Sequence, residues 1–201
     1  TPEPSVETAA QQLVDGLVDA VLACERALNE ASAALSSPRH ENNRPDKIEE
    51  DGDDDDDDGE EKEDGNGNNS KTKKTLALRR VELVQLHQRN LLHALEALCI
   101  FSQSRPQMLV RHCETLQPYL SQRHENEAEQ QVIMLVMRIM ERALPLLAHP
   151  SPDFLMAVDE ALAAIAARSG SIMVETAAAC MAAVAEKAAA GAAEQKQHRP
   201  R

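Results

Sequence analysis

Apolar residues recur every three or four positions over several long stretches of the chain, and one long polar stretch separates the first of these from the others. This spacing is typical of helices with one apolar face, so we predict a first helix over about 6–35. A second long helix is predicted over about 75–104. The predicted inward-facing residues are Leu13, Leu17, Ala20, Cys24 and Leu28 in the first helix, and Val84, Leu91, Leu95, Leu98 and Ser102 in the second.

Shorter helices follow, and prolines or glycine mark their ends. One is predicted over about 106–120 and another over about 126–148, where Pro145 kinks the last turn. Ser151 is the predicted N-cap of the next helix, Gly170 its end, and a last helix follows. The predicted inward stripes are Leu109, Cys113, Leu116 and Leu120; Val132, Val136, Ile139, Ala143 and Leu146; Leu155, Val158, Leu162 and Ile165; and Val174, Ala177, Met181, Val184 and Ala188.

Helices of this size joined by short breaks indicate an all-α fold, a HEAT-like α-solenoid of antiparallel helix pairs with a disordered acidic insertion. A closed helical bundle is the alternative that the pattern leaves open. We divide the chain into an N-terminal repeat helix (1–35), a disordered acidic and basic linker (36–74), HEAT-like helical repeats (75–190) and a polar tail (191–201). Because the sequence opens at Thr1 without an initiator methionine and closes on the polar stretch "QKQHRPR", we expect a segment of a longer protein.

The net charge of −13 belongs almost entirely to the acidic tract at 41–64, within the linker. Residues 41–64 hold 15 acidic residues against three basic ones, a net of −12, which leaves −1 for the rest of the chain. The tract contains Ile48 as its only large apolar side chain, so we expect a solvated linker. Binding of histone tails, basic peptides or divalent ions is the alternative reading of the tract.

A histidine, a cysteine and a glutamate stand in a row at 112–114 and invite a catalytic interpretation. Adjacent residues of a helix point about 100° apart, so we expect Cys113 in the core, His112 on the flank and Glu114 in solvent. The four cysteines form no CxxC pair, and no phosphate-binding loop is present. We therefore expect no enzyme, cofactor, metal or small-molecule substrate. A metal- or cysteine-dependent helical enzyme is the remaining alternative.

Basic residues offer a candidate binding site for nucleic acid. Arg79, Arg80, Arg105 and Arg111 are predicted contacts to a DNA backbone, although plain surface charge explains them as well. No aromatic residues stand among them to stack on bases, so such contacts would not read sequence. No stretch is long and apolar enough to predict a membrane span.

Two blocks of the sequence resemble the Nipped-B family of cohesin-loading proteins. They are "LHALEALCIFSQSRPQMLVRHCETLQPYL" and "IMERALPLLAHPSPDFLMAVDEALAAIAARSGSIMVETAAACMAAVAEK", and the resemblance extends over about 76–187. The motifs "RPQMLV", "LQPYL" and "LPLLAHPSPDFL" are its specific parts. The acidic tract has no counterpart in the family.

The resemblance implies a segment of a hook-shaped HEAT-repeat scaffold that acts in the nucleus, associated with chromatin. Its implied partners are the cohesin complex and double-stranded DNA, together with a helical-repeat loader subunit that we do not expect this segment to bind. Its implied role is to load cohesin and so support sister chromatid cohesion. The alternative is another α-solenoid adaptor, either of the transport-receptor kind or a histone-binding chromatin protein that uses the acidic tract.

Overall fold

The computed structural model describes residues 5–36, 67–122 and 126–197, and the regular structure in these ranges is entirely helical. The α-helices are α1 (Val6–Ser36), α2 (Gly67–Ser104), α3 (Cys113–Leu116), α4 (Glu127–Ala143), α5 (Pro152–Arg168) and α6 (Ser171–Gln197). Single 3-10 turns occupy Pro106–Met108, Val110–His112, Gln117–Ser121 and Leu144–Leu146. The all-α prediction is confirmed.

Side-chain caps fix where three of the helices begin. The hydroxyl of Ser5 accepts a hydrogen bond from the amide of Thr8 at 3.2 Å before α1. Asn126 Oδ1 does the same for α4 at 2.9 Å, and Ser151 Oγ accepts from the amide of Phe154 at 3.1 Å. Each cap satisfies an amide that has no partner inside the helix. Ser151 is therefore the N-cap that the sequence predicts.

The helices pack as antiparallel pairs. Arg80 near the start of α2 donates to the carbonyl of Ala34 at the end of α1, at 3.2 Å. Gln11 near the start of α1 donates to the carbonyl of Met108, just beyond the end of α2, at 3.2 Å. α5 and α6 form the second pair, and α4 packs against both α2 and α6. This side-by-side arrangement of helix pairs is a helical-repeat fold.

One apolar core runs through these helices. The stripes predicted for α5 and for residues 109–120 are buried throughout, and in α2 the stripe is buried from Leu91 onward. In α6 the prediction holds for Ala177 and Val184, whereas Ala188 is exposed and Cys180 is buried. Aromatic residues add little, because Tyr119 and Phe154 are the only two in the core of the described residues.

In α1 the predicted stripe is wrong by one position. Leu13 is 53% exposed, while Val14, Val18 and Val21 are buried. The three valines recur at the same helical spacing as the predicted residues, so periodicity alone did not decide between two adjacent stripes. Of the other residues in the predicted set, Ala20 is exposed, and Leu17, Cys24 and Leu28 are half-buried.

The segment 106–120 is not the single helix that its apolar spacing suggests. It is a chain of 3-10 turns with only one turn of α-helix, α3. Pro106 and Pro118 have no amide hydrogen, and a proline also disfavours helical backbone at the residue before it. The amides of Leu109 and His112 accordingly bond to carbonyls three residues back.

A similar change of geometry ends α4. The backbone tightens into a 3-10 turn at Leu144–Leu146, which contains Pro145. Because a 3-10 turn advances about 120° per residue rather than about 100°, the side chains after Ala143 are rotated. Leu144 is therefore fully buried, and Leu146, which we predicted to be inward-facing, is 48% exposed.

The predicted linker and tail boundaries also differ from the helix ends. α2 begins at Gly67, so residues 67–74 have helical backbone rather than belonging to the linker. α6 continues to Gln197 through most of the predicted tail. Adding residues to an existing helix is far easier than starting one, which explains both extensions. The acidic tract, with the rest of 37–66, lies outside the described residues.

Candidate functional site

The four predicted DNA-contact arginines fall into two groups at opposite ends of α2. Arg79 and Arg80 lie in its first half, and Arg105 and Arg111 follow its last residue, Ser104. At 1.5 Å rise per residue, Arg80 and Ser104 are separated by about 36 Å along the helix axis. The structure therefore does not bring the four side chains into one patch.

Two of the four arginines have protein partners. Arg80 donates to the carbonyl of Ala34 at 3.2 Å, in the last turn of α1, where unpaired carbonyls attract a cation. Arg111 forms an ion pair with Asp15 of α1. Arg79 is exposed and Arg105 half-buried, and neither side chain has a hydrogen-bond or ion-pair partner among the described residues.

Asp15 is the centre of a polar cluster that holds α1 against residues 105–112. Its Oδ1 accepts from Arg111, from His112 Nε2 at 2.9 Å and from Gln11 Nε2 at 3.0 Å. Gln11 in turn donates to the carbonyl of Met108. The bond from the Arg111 guanidinium, above all, lowers the pKa of Asp15 from 3.8 to about 2. The cluster anchors the first half of α1.

A second polar contact lies ten residues further along α1. Tyr119 donates its phenolic hydrogen to Glu25 Oε2 at 2.7 Å, and Gln122 donates to Glu25 Oε1 at 3.1 Å. Tyr119 is buried, so burial raises the pKa of its phenol and the bond to Glu25 raises it further. Asp15 thus connects α1 to the middle of the segment 106–122, and Glu25 connects it to the end of that segment.

The His-Cys-Glu row diverges as the helical phase predicts. Cys113 is fully buried and Glu114 is exposed, while His112 turns to Asp15. Burial raises the pKa of the Cys113 thiol to about 12, and that of Cys180 to about 12 as well. A thiol in this state is a poor nucleophile. The described residues contain no group of three or more histidine, cysteine or acidic side chains arranged to hold a metal ion.

Sequence reasoning missed the third polar contact, which joins α4 to the end of α2. Arg142 donates through one terminal nitrogen to the carbonyl of Cys99 at 3.1 Å and to Ser102 Oγ at 2.8 Å. Ser102 is 1% exposed and donates to the same carbonyl at 2.6 Å. The available signal was Ser102 itself, because a polar residue within an apolar stripe requires a buried partner.

Together these contacts connect helices that are distant in sequence. Acidic side chains of α1 and a basic side chain of α4 each bind the segment around the end of α2, and apolar residues fill the space between them. The arrangement suits a rigid scaffold. None of the helices in the described ranges combines the length and the apolar character that crossing a membrane requires.

Comparison with known proteins gives partial matches to curated Nipped-B relatives. The chain is 35% identical to the Nipped-B-like protein of Homo sapiens over 97 residues, which cover 48% of this chain and 4% of that protein. It is 35% identical to Nipped-B-like protein scc-2 of Caenorhabditis elegans over 99 residues, 49% of this chain and 4% of the relative. It is 28% identical to the Nipped-B protein of Drosophila melanogaster over 109 residues, 54% of this chain and 5% of the relative.

The chain thus spans only 4 to 5% of the length of the curated relatives it matches. These matches support the resemblance to this family over about half of the chain. No family model matches the chain. No solved structure matches it either.

Proposed function

We propose that this chain is a segment of a cohesin-loading scaffold of the Nipped-B family. The observation that carries the proposal is the 35% identity to Nipped-B-like relatives over 97 and 99 residues. The helical-repeat fold supports it, because stacked helix pairs build the extended surfaces with which scaffolds hold large partners. In this proposal the protein acts in the nucleus, on chromatin, with the cohesin complex as partner.

The proposed mechanism is binding without catalysis. A stack of helices presents fixed surfaces that keep cohesin and duplex DNA together, so its contribution is positioning. One finding favours this role over an enzymatic one: the Cys113 thiol is fully buried, and burial raises its pKa to about 12.

A chimera tests the proposal. The segment of the human Nipped-B-like protein that aligns with this chain is replaced by the aligned residues of this chain, and cohesin loading onto chromatin is measured in depleted cells. We expect loading close to that of the unaltered protein. The matched control carries Leu98→Asp and Leu162→Asp, two fully buried positions, and should lose loading. A chimera that loads no more cohesin than this control would contradict the proposal.

Contact with a DNA backbone is a second part of the proposal. Arg79 and Arg105 are the better candidates of the four predicted arginines, because Arg80 and Arg111 already bind Ala34 and Asp15. We expect Arg79→Glu with Arg105→Glu to weaken binding to a DNA duplex at low salt. Losing two phosphate contacts lowers the slope of log affinity against log salt by about 2.

The matched control for this test is the pair Arg138→Glu and Arg168→Glu. Both arginines are exposed, on α4 and α5, and the substitution changes the net charge by the same amount. Equal DNA affinity in the two double variants would show that only net charge matters. Charge reversal of all four predicted arginines without any loss of affinity would remove the DNA contact altogether.

The acidic tract favours one alternative function, a chromatin protein that binds histones. Residues 41–64 have a net charge of −12, which attracts basic tails. Deleting this range distinguishes the two functions. A histone-binding protein loses its affinity for basic partners, whereas a cohesin-loading segment keeps its affinity for cohesin.

A further inference from the structure

The first helix pair includes a region whose side chains are all at least partly exposed. We call it the arm and define it as residues 26–34 of α1 and 78–89 of α2. No residue of the arm is buried, whereas the next core residues, Val21 and Leu91, are 0% and 5% exposed. In the arm, α1 packs on α2, and the hydrogen bond from Arg80 to the carbonyl of Ala34 lies at the end of this contact.

The α2 side of the arm is apolar on more faces than α1 covers. Val84 is half-buried, while Leu78, Val81, Leu83 and Leu86 are 64%, 44%, 49% and 48% exposed. Leu78 and Leu86 are eight residues apart and so share a face, directed away from Val84. A helix that is apolar on several sides is normally enclosed. A row of exposed leucines marks an interaction surface.

The positive charge of the first part of α2 favours a partner with negative charge. Between 67 and 89, α2 carries six basic residues against the single acid Glu82. Arg79 and Arg89 are exposed, and neither has a side-chain partner in the described part of the chain. Arg89 is three residues from Leu86 and eleven from Leu78, so it belongs to the same face as these leucines. An acidic partner matches this combination.

The exposed apolar side chains of the arm further restrict which class of molecule can be its partner. DNA phosphates gain nothing from leucine, so nucleic acid leaves the exposed leucines unexplained. The chain's own acidic tract offers no apolar stripe to match these leucines, because Ile48 is its only large apolar residue. An amphipathic helix with acidic flanks supplies both the apolar stripe and the negative charge.

We propose that the arm binds an acidic amphipathic helix of a partner protein. The apolar stripe of that helix packs on Leu78 and Leu86 and reaches Val81, and its carboxylates pair with Arg89 and, in competition with DNA, with Arg79. The proposal concerns a binding surface of this chain and does not depend on cohesin being the partner.

A synthetic helical peptide of about 18 residues tests the surface, because five turns span the arm. The peptide has leucine along one face and glutamate on the others, carries fluorescein, and is titrated with the full chain by fluorescence anisotropy. We expect binding by the wild-type chain, and none by a peptide whose leucines are replaced by serine. Leu78→Ser with Leu86→Ser should weaken binding by about tenfold or more, since two partly exposed leucines lose apolar contact. Arg79→Glu with Arg89→Glu should weaken it as well.

The matched control is the pair Met156→Ser and Ile172→Ser. These residues are 58% and 66% exposed on α5 and α6, so the control removes a similar apolar area elsewhere. It should bind the peptide like wild type, and helical content measured by circular dichroism should be unchanged in every variant.

Three results overturn the proposal. One is no binding of the acidic peptide by the wild-type chain. Another is equal affinity in the Leu78/Leu86 variant and the Met156/Ile172 control. The third is self-association of the wild-type chain in sedimentation velocity that the Leu78/Leu86 variant abolishes, because a second copy of the chain would then occupy the arm.

Discussion

The contact between Arg142 and Ser102 allows a quantitative test of how α4 is fixed to α2. Arg142 is half-buried and donates to Ser102 Oγ and to the carbonyl of Cys99, and Ser102 is 1% exposed. Replacing Arg142 by methionine keeps much of the apolar stem and removes the donors. Hydrogen bonds to a charged group contribute about 1.5–3 kcal/mol each. Losing both bonds of the half-buried Arg142 should therefore lower the free energy of unfolding by about 3 kcal/mol, the lower limit for two such bonds.

A double-mutant cycle isolates the interaction between the two side chains. Ser102→Ala removes the hydroxyl but leaves Arg142 its bond to Cys99, so its expected loss is smaller, about 1 kcal/mol. Residues in direct contact show a coupling energy, and we expect about 1 kcal/mol for this pair. The unfolding free energies of wild type, both single variants and the double variant are measured by urea denaturation, with circular dichroism as the probe.

The control is Arg138→Met, one turn earlier on α4, where the arginine is exposed. Its effect should stay within about 0.5 kcal/mol, as for most surface substitutions. A coupling energy between Arg142 and Ser102 of less than about 0.3 kcal/mol would refute the reasoning, because the two side chains would then act independently.

Four further predictions follow from single side chains. Leu144→Ala should lower the unfolding free energy by about 2–5 kcal/mol, and Leu146→Ala by less than about 1 kcal/mol, because only Leu144 is enclosed. If urea denaturation showed the same loss for both variants, it would contradict the 3-10 geometry. Gly16→Ala should raise the unfolding free energy by about 0.5–1 kcal/mol, since an added methyl meets no atom within 4 Å; a lower melting temperature would contradict this. Asp15 has its pKa lowered from 3.8 to about 2, so its contribution to stability is present above pH 3.8 and is lost as the pH falls towards 2. Asp15→Asn should therefore flatten that part of the curve of unfolding free energy against pH. An unchanged curve would count against the ion pair with Arg111. Cys113, with its pKa raised to about 12, should react with a thiol reagent only after urea unfolds the chain, and rapid labelling at neutral pH in the native chain would show that it is not enclosed.

The sequence predicts the core best where a helix has one clear stripe. In α5, Leu155, Val158, Leu162 and Ile165 form one stripe, with Phe154 and Met156 as the only other large apolar residues, and all four are buried. In α1 two stripes are adjacent, and only packing against α2 decides that Val14 faces inward and Leu13 does not. Periodicity therefore identifies helices reliably but fixes their rotation only when one face is clearly more apolar.

The candidate site was less predictable, because side-chain partners are set by tertiary structure. Arg79, Arg80, Arg105 and Arg111 are alike in the sequence, yet two of them bind α1 through Ala34 and Asp15. The acceptors of Arg111 and Arg80 are 96 and 46 residues away, and no local pattern connects such positions. The divergence of His112, Cys113 and Glu114 was predictable, because neighbouring side chains point about 120° apart in a 3-10 turn and about 100° apart in an α-helix.

The bond between Tyr119 and Glu25 gives the molecule an optical reporter. The chain has one tyrosine and no tryptophan, so its ultraviolet emission arises from a single phenol at the contact between α1 and the turn at Gln117–Ser121. A carboxylate that accepts the phenolic hydrogen quenches that emission, and separation of the two groups restores it. Undocking of α1 would brighten the protein before its helices melt. Comparing emission with circular dichroism during denaturation thus shows whether α1 separates from the core before the other helices unfold or together with them.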